Sequence, residues 1–162
     1  MNSEHLQKLS EAESEFLQEG TGNGSLAVHL VHAAADSADG AASDAPLYIG
    51  YDIHLENIEA LYFEGLKLPR WESIAAESVE EKTNIYNKSL KETTSEYPFI
   101  SRVSDTDEKI AYSSEEISPL RGECERLLEK TDDVKAVKAL QKFHIACTKA
   151  AENQSGLLLI PN

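Results

Sequence analysis

A chain of 162 residues has the length of one domain and can bury a core without the help of a disulfide or a structural metal. Hydrophobic residues at 41% and charged residues at 27% exclude a mostly disordered chain, a collagen-like repeat and a disulfide scaffold. The 29 carboxylates against 15 lysines and arginines leave a net charge of −14, and like-charge repulsion argues against unaided binding to nucleic acid or to anionic lipid.

In chain order, Met1 to Leu6 has neither the basic nor the apolar region of a secretory signal. Apolar runs such as Ala33 to Ala35 and Leu157 to Ile160 are at most four residues long, far short of the ~20 residues of a membrane span. A cytoplasmic location and no membrane partner are therefore expected. Ser3 to Gln18 carries Leu6, Leu9, Phe16 and Leu17 at helical spacing, and the glycine-rich stretch Gly20 to Gly24 ends that helix. Leu26 to Ala35 sets Leu26, Leu30 and Ala33 on one stripe and Ala27, Val31 and Ala34 on the next, which favours a helix. The alternation of Leu26, Val28 and Leu30 is the competing strand pattern. Residues 36–46 are small and polar and read as a flexible loop.

Leu47 to Ile53 is aromatic and β-branched and predicts a strand, with Gly50 permitting a bulge. Leu55 to Phe63 predicts a short helix presenting Ile58, Leu61 and Tyr62 and stopped by Gly65. A longer helix is expected from Pro69 through Trp71, Ile74, Val79, Ile85 and Tyr86 to Leu90. Tyr97 to Val103 and Lys109 to Tyr112, flanking Ser104 to Glu108, have the pattern of a hairpin.

Ser113 or Ser114 caps a helix with Ile117, Leu120, Cys124, Leu127 and Leu128 inward. Asp132 or Asp133 caps the next, with Val134, Val137, Leu140, Phe143, Cys147 and Ala151 inward. Gly156 breaks that helix, and Leu157 to Ile160 reads as a short buried strand. The expected fold is a single α+β domain over residues 1–162. It has five or six helices, including a C-terminal helical hairpin, beside a small three- or four-stranded, mainly antiparallel sheet.

Catalytic motifs are absent from the sequence. His29 and His32 would share a helix face, but a third metal ligand would have to come from elsewhere, and neither a His-Glu-x-x-His nor a Cys-x-x-Cys motif stands nearby. In a strand, Asp52, His54 and Glu56 would point to one side and resemble an acid–base group. The same alternation marks any solvated strand face. Cys124 and Cys147 fall at apolar helix positions roughly 10–12 Å apart in a hairpin rising 1.5 Å per residue, too far for a disulfide and placed to stay inert. Asp105 to Glu108 opens like a calcium loop but lacks the glycine and glutamate that such a loop requires. No metal and no cofactor is expected.

Charge distribution is the informative feature. Between Lys8 and Lys67 there is no lysine or arginine, while eleven carboxylates stand in that interval. The last helix, Val134 to Ala151, has no acid, and Lys135, Lys138 and Lys142 fall at helical spacing on one face, expected to point outward. A one-signed field speeds encounter with an oppositely charged partner.

In the carboxylate-rich Glu11–Glu64 stretch, the aromatic-bearing segment LYIGYDIHLENIEALYF (47–63) and the capped helix pair ending in GLLLIPN (156–162), the chain resembles bacterial immunity proteins. These neutralise the basic nuclease or other toxic domain of polymorphic and contact-dependent toxins. The resemblance is one of general character and implies occlusion of a basic protein partner, with no chemistry by the chain itself. Under that reading Asp52, Glu56, Glu59 and Glu64 supply charge beside Tyr48, Tyr51, Tyr62 and Phe63, and a monomer is expected. The alternatives are a structural or adaptor subunit, or a small hydrolase using His54 with Asp52 or Glu56.

Overall fold

Two strands and a helix set the frame of the candidate site, and their placement follows from which apolar sets the chain can bury together. The computed structural model describes residues 24–32, 46–104 and 108–161. The expected Ser3–Gln18 helix, the glycines before Gly24, residues 36–45 of the expected loop and Asp105 to Asp107 lie outside the described residues.

The first strand, β1 (Ser25–His32), occupies the stretch for which a helix was expected. The period-2 set wins because it is buried as a set: Leu26 and Val28 are fully enclosed and Leu30 nearly so. β1 is hydrogen-bonded on both sides, and Ala27 on the alternate set is also buried. Such an interior strand reads as a near-continuous apolar run, which imitates the stripes of a helix.

The four described strands are β1, β2 (Leu47–His54), β3 (Ile110–Tyr112) and β4 (Ser155–Pro161). They form one antiparallel sheet in the order β2-β1-β4-β3. The β1–β2 register jumps from Ala27↔Asp52 to His29↔Tyr48, so that β2 bulges around Gly50.

His54 ends β2 and caps α1 (Leu55–Ala60), which runs on without a break into a π-helical turn, Leu61–Gly65. A single 3₁₀ turn, Trp71–Ser73, follows, and only then α2 (Val79–Glu96). The expected helix start at Pro69 is thus corrected by ten residues. Ser78 accepts the Glu81 N–H at 3.1 Å and Glu81 accepts the Glu77 N–H at 3.1 Å, a cap that fixes the helix start. Ile74 is extended and buried instead. No residue of α2 is fully buried; Tyr86 and Leu90 attach it to the core.

The expected hairpin is also corrected. Ile100–Ser104 is a 3₁₀ helix, because the buried Glu123 carboxylate accepts the Phe99 and Ile100 N–H groups that a strand would give to its ladder. β3 pairs with β4 instead.

Ser113 and Glu116 form a capping box on the 3₁₀ turn Ser114–Glu116, which leads into α3 (Ile117–Lys130). Asp133 caps α4 (Val134–Glu152) by accepting the Ala136 N–H at 2.9 Å. This helical hairpin covers the sheet, and Leu120, Cys124, Leu127, Val137, Leu140, Phe143 and Cys147 interlock with Leu26, Val28, Ile53, Leu157 and Leu159 in one core. Both cysteines are buried and free. Burial pushes the Cys124 thiol well above its usual range and Cys147 to about 12. Val134 and Ala151, expected inward, are exposed at the ends of α4. Four α-helices are thus found among the described residues, where five or six were expected across the whole chain. No described helix is long and apolar enough to cross a membrane.

Candidate partner-binding groove

The site begins with a cap. His54 Nδ1 accepts the Glu56 N–H at 3.0 Å, which starts α1 directly after the strand. From there the helical period takes over. Ile58, Ala60, Leu61 and Tyr62 turn into the core, Glu56, Glu59 and Glu64 stand in solvent, and Phe63 is half-buried between the two sets.

Opposite these carboxylates lies the start of α4. Glu56, Glu59, Glu64, Arg70, Asp133, Val134 and Lys135 line a groove of about 530 Å³. The Lys135 ammonium bonds to Glu56, and that bond holds the Glu56 carboxyl below its usual range. Arg70 Nη1 lies 3.4 Å from Glu59 Oε1, and its guanidinium carbon lies 4.2 Å from the centre of the Phe63 ring. Glu64 has no ion-pair partner among the described residues. Four carboxylates therefore face two cations, with Asp133 engaged as a helix cap.

A second groove of about 360 Å³ adjoins the first and shares Glu59 with it. Leu55, Ile58, Tyr62, Phe63, Tyr86 and Val103 form the rest of its wall. The Tyr62 and Tyr86 hydroxyls are hydrogen-bonded to each other, and burial pushes the Tyr62 hydroxyl above its usual range. Trp71 stands edge-on to Tyr86 at 6.3 Å and is 41% exposed.

Not all the expected contact residues gather here. Asp52 is only 3% exposed: its carboxylate accepts from Ser25 Oγ at 2.7 Å and Tyr48 Oη at 2.5 Å, and its backbone carbonyl accepts from Lys142 Nζ at 2.6 Å. It joins β1, β2 and α4 instead of presenting charge. Lys142, expected on an outward basic face, is buried for the same reason. Tyr62 is likewise largely buried in the core, although it still forms part of the wall of the second groove. Tyr48 is exposed on β2, with its ring tilted against His29 at 5.4 Å between centres, and is not among the residues that line either groove. The Tyr51 side chain lies outside the described residues.

The acid–base alternative loses its geometry. Glu56 is on a helix, not on the strand with Asp52 and His54, and His54 spends Nδ1 on the cap. The helical spacing that would have put His29 and His32 on one face does not exist in β1. Among the described residues no three His, Cys, Asp or Glu side chains are grouped to hold a metal ion.

Sequence reasoning missed Arg70, Asp133, Val134 and Tyr86 as groove residues. They come from three other segments, and only the cap at Asp133 left a local signal. No family model, no curated protein and no solved structure matches the chain at a significant level.

Proposed function

We propose that this chain is an acidic, cytoplasmic binding protein that neutralises a basic protein partner by occlusion, as an immunity protein does to its toxin, and that it acts as a monomer without a cofactor. The carrying observation is the groove between α1 and the start of α4, where carboxylates outnumber cations two to one and Glu64 is unpaired among the described residues.

The mechanism needs no bond to be made or broken. The field of the net −14 chain draws a cationic surface in. Glu56, Glu59 and Glu64 then exchange their exposed internal partners, or water, for lysines and arginines of the partner. Exposed ion pairs are worth little, so the exchange costs little. Phe63 supplies an aromatic contact of the kind that carries affinity at the centre of an interface. No comparable observation favours the adaptor reading, and the hydrolase reading lacks assembled groups.

The test is co-expression with the product of an adjoining reading frame that encodes a toxic domain. Protection of growth is expected, with association that slows steeply as salt rises. The double variant Glu59→Lys/Glu64→Lys is expected to associate about tenfold more slowly. Association insensitive to both salt and this variant would refute the reading.

A further inference from the structure

We propose that Glu59 and Phe63 form a guanidinium seat, filled by Arg70 in the free protein and taken over by an arginine of the partner, whose neighbouring apolar side chain enters the second groove. This inference rests on the reading of the chain as a binder of basic protein. It adds the chemistry of what is bound.

The seat is visible because it is occupied. Arg70 places its planar group 4.2 Å from the Phe63 ring centre while Nη1 lies 3.4 Å from Glu59 Oε1. Stacking on a ring combined with bonding to a carboxylate is a geometry that suits a guanidinium better than a compact ammonium. The occupant is weakly held: Arg70 is 48% and Glu59 60% exposed. An exposed pair of this kind exchanges readily for an equivalent one.

The same two residues, Glu59 and Phe63, also wall the second groove, where Leu55, Ile58 and Val103 are apolar. Its volume lies within the range of clefts that take ligand groups. An arginine in the seat therefore carries its neighbouring side chain to the mouth of a mixed cleft, where Leu55, Ile58 and Val103 supply the apolar wall. The excess of carboxylates in the first groove selects for a cationic segment over an acidic one.

The test uses the full chain, labelled for amide NMR at low salt, and three capped dipeptides as probes: acetyl-Arg-Trp-amide, acetyl-Arg-Gly-amide and acetyl-citrulline-Trp-amide. Acetyl-Arg-Trp-amide is expected to shift Glu59, Phe63, Glu64, Arg70 and Tyr86 and to bind most tightly. Arg70→Gln, which empties the seat, is expected to tighten binding about threefold. Phe63→Leu is expected to weaken it. Lys149→Gln removes the same charge about 21 Å along α4 from Lys135 at 1.5 Å per residue, and is expected to leave affinity unchanged.

Unchanged or weaker binding by Arg70→Gln, or no shifts up to about 10 mM probe, overturns the seat. Equal binding of the Arg-Gly probe overturns the apolar contact. Equal binding of the citrulline probe overturns the charge reading beneath both. Salt-dependent capture of a basic toxic domain that is indifferent to Arg70→Gln and Phe63→Leu leaves that reading standing and overturns the seat alone.

Discussion

Glu123 offers the sharpest test of how this fold is held. It is 3% exposed on α3, and its carboxylate accepts the Ile100 N–H at 2.8 Å and the Phe99 N–H at 3.2 and 3.3 Å. Glu123→Ala orphans both donors at the entrance of the 3₁₀ helix, at about 1–3 kcal/mol each when shut from water. Losing the desolvated charge recovers part of that, so a net loss of about 3 kcal/mol is expected. Glu123→Gln keeps one acceptor oxygen, so it should lose only about 1 kcal/mol. Urea unfolding at pH 7, read as a shift of midpoint at constant slope, measures both.

The pH dependence supplies a second reading from the same variants. Burial raises the Glu123 carboxyl above its unfolded value, against the pull of the two backbone bonds. The folded state therefore binds this proton more tightly, and the group adds stability as pH falls through the folded value toward the unfolded one. The glutamine variant lacks that gain, so its deficit should widen in acid. A loss below about 0.5 kcal/mol for Glu123→Ala, or equal losses for both variants, refutes the bonding argument.

The opposite sign is expected at Glu116. Two bonds from Arg102, at 3.1 and 2.5 Å, together with the Ser113 N–H, hold this carboxyl down at about 2. Its contribution is complete above the unfolded carboxyl range and disappears as pH falls from about 4.5 to 2. Glu116→Gln should cost about 1–2 kcal/mol at pH 7, discounted for a pair that is partly in water, and should show a flatter acid limb in a pH series of thermal melts. Gly156→Ala puts a methyl group 2.2 Å from the Tyr112 carbonyl oxygen, where β4 crosses the end of β3. A loss of about 2–3 kcal/mol is expected, lowering the melting temperature by roughly 5–10 °C; an unchanged melt would show that β3 can simply slide away.

Legibility in the sequence followed the range of the deciding interaction. β2, α1, α3, α4 and β4 carried their own periods, stops and caps, and the structure has them close to where those signals lie. β1 did not, because its pairing on both sides makes a strand look like an apolar stripe. The hairpin expected at Tyr97–Val103 failed because Glu123, over twenty residues on, claims the backbone donors. The acidic segment was recognised as a surface, but which members face out depended on where the period changes from two to 3.6. That change falls at His54, leaving Asp52 on the buried side and Glu56 and Glu59 on the open one. The partners of those open carboxylates, Lys135 and Arg70, come from other segments, and no local pattern joins them to α1.

The position of β4 has a consequence for how the molecule is made. It lies between β1 and β3, pairing Leu26 with Pro161 and Tyr112 with Leu157. A nascent chain halted before Ser155 leaves β1 with one bare edge and β3 with no partner among the described strands, although every described helix precedes that point in the chain. The sheet can close only when its middle strand emerges, so assembly waits on one of the longest loop closures the topology contains. Until then the growing polypeptide exposes the apolar side of β1, and this interval is when a chaperone would matter most.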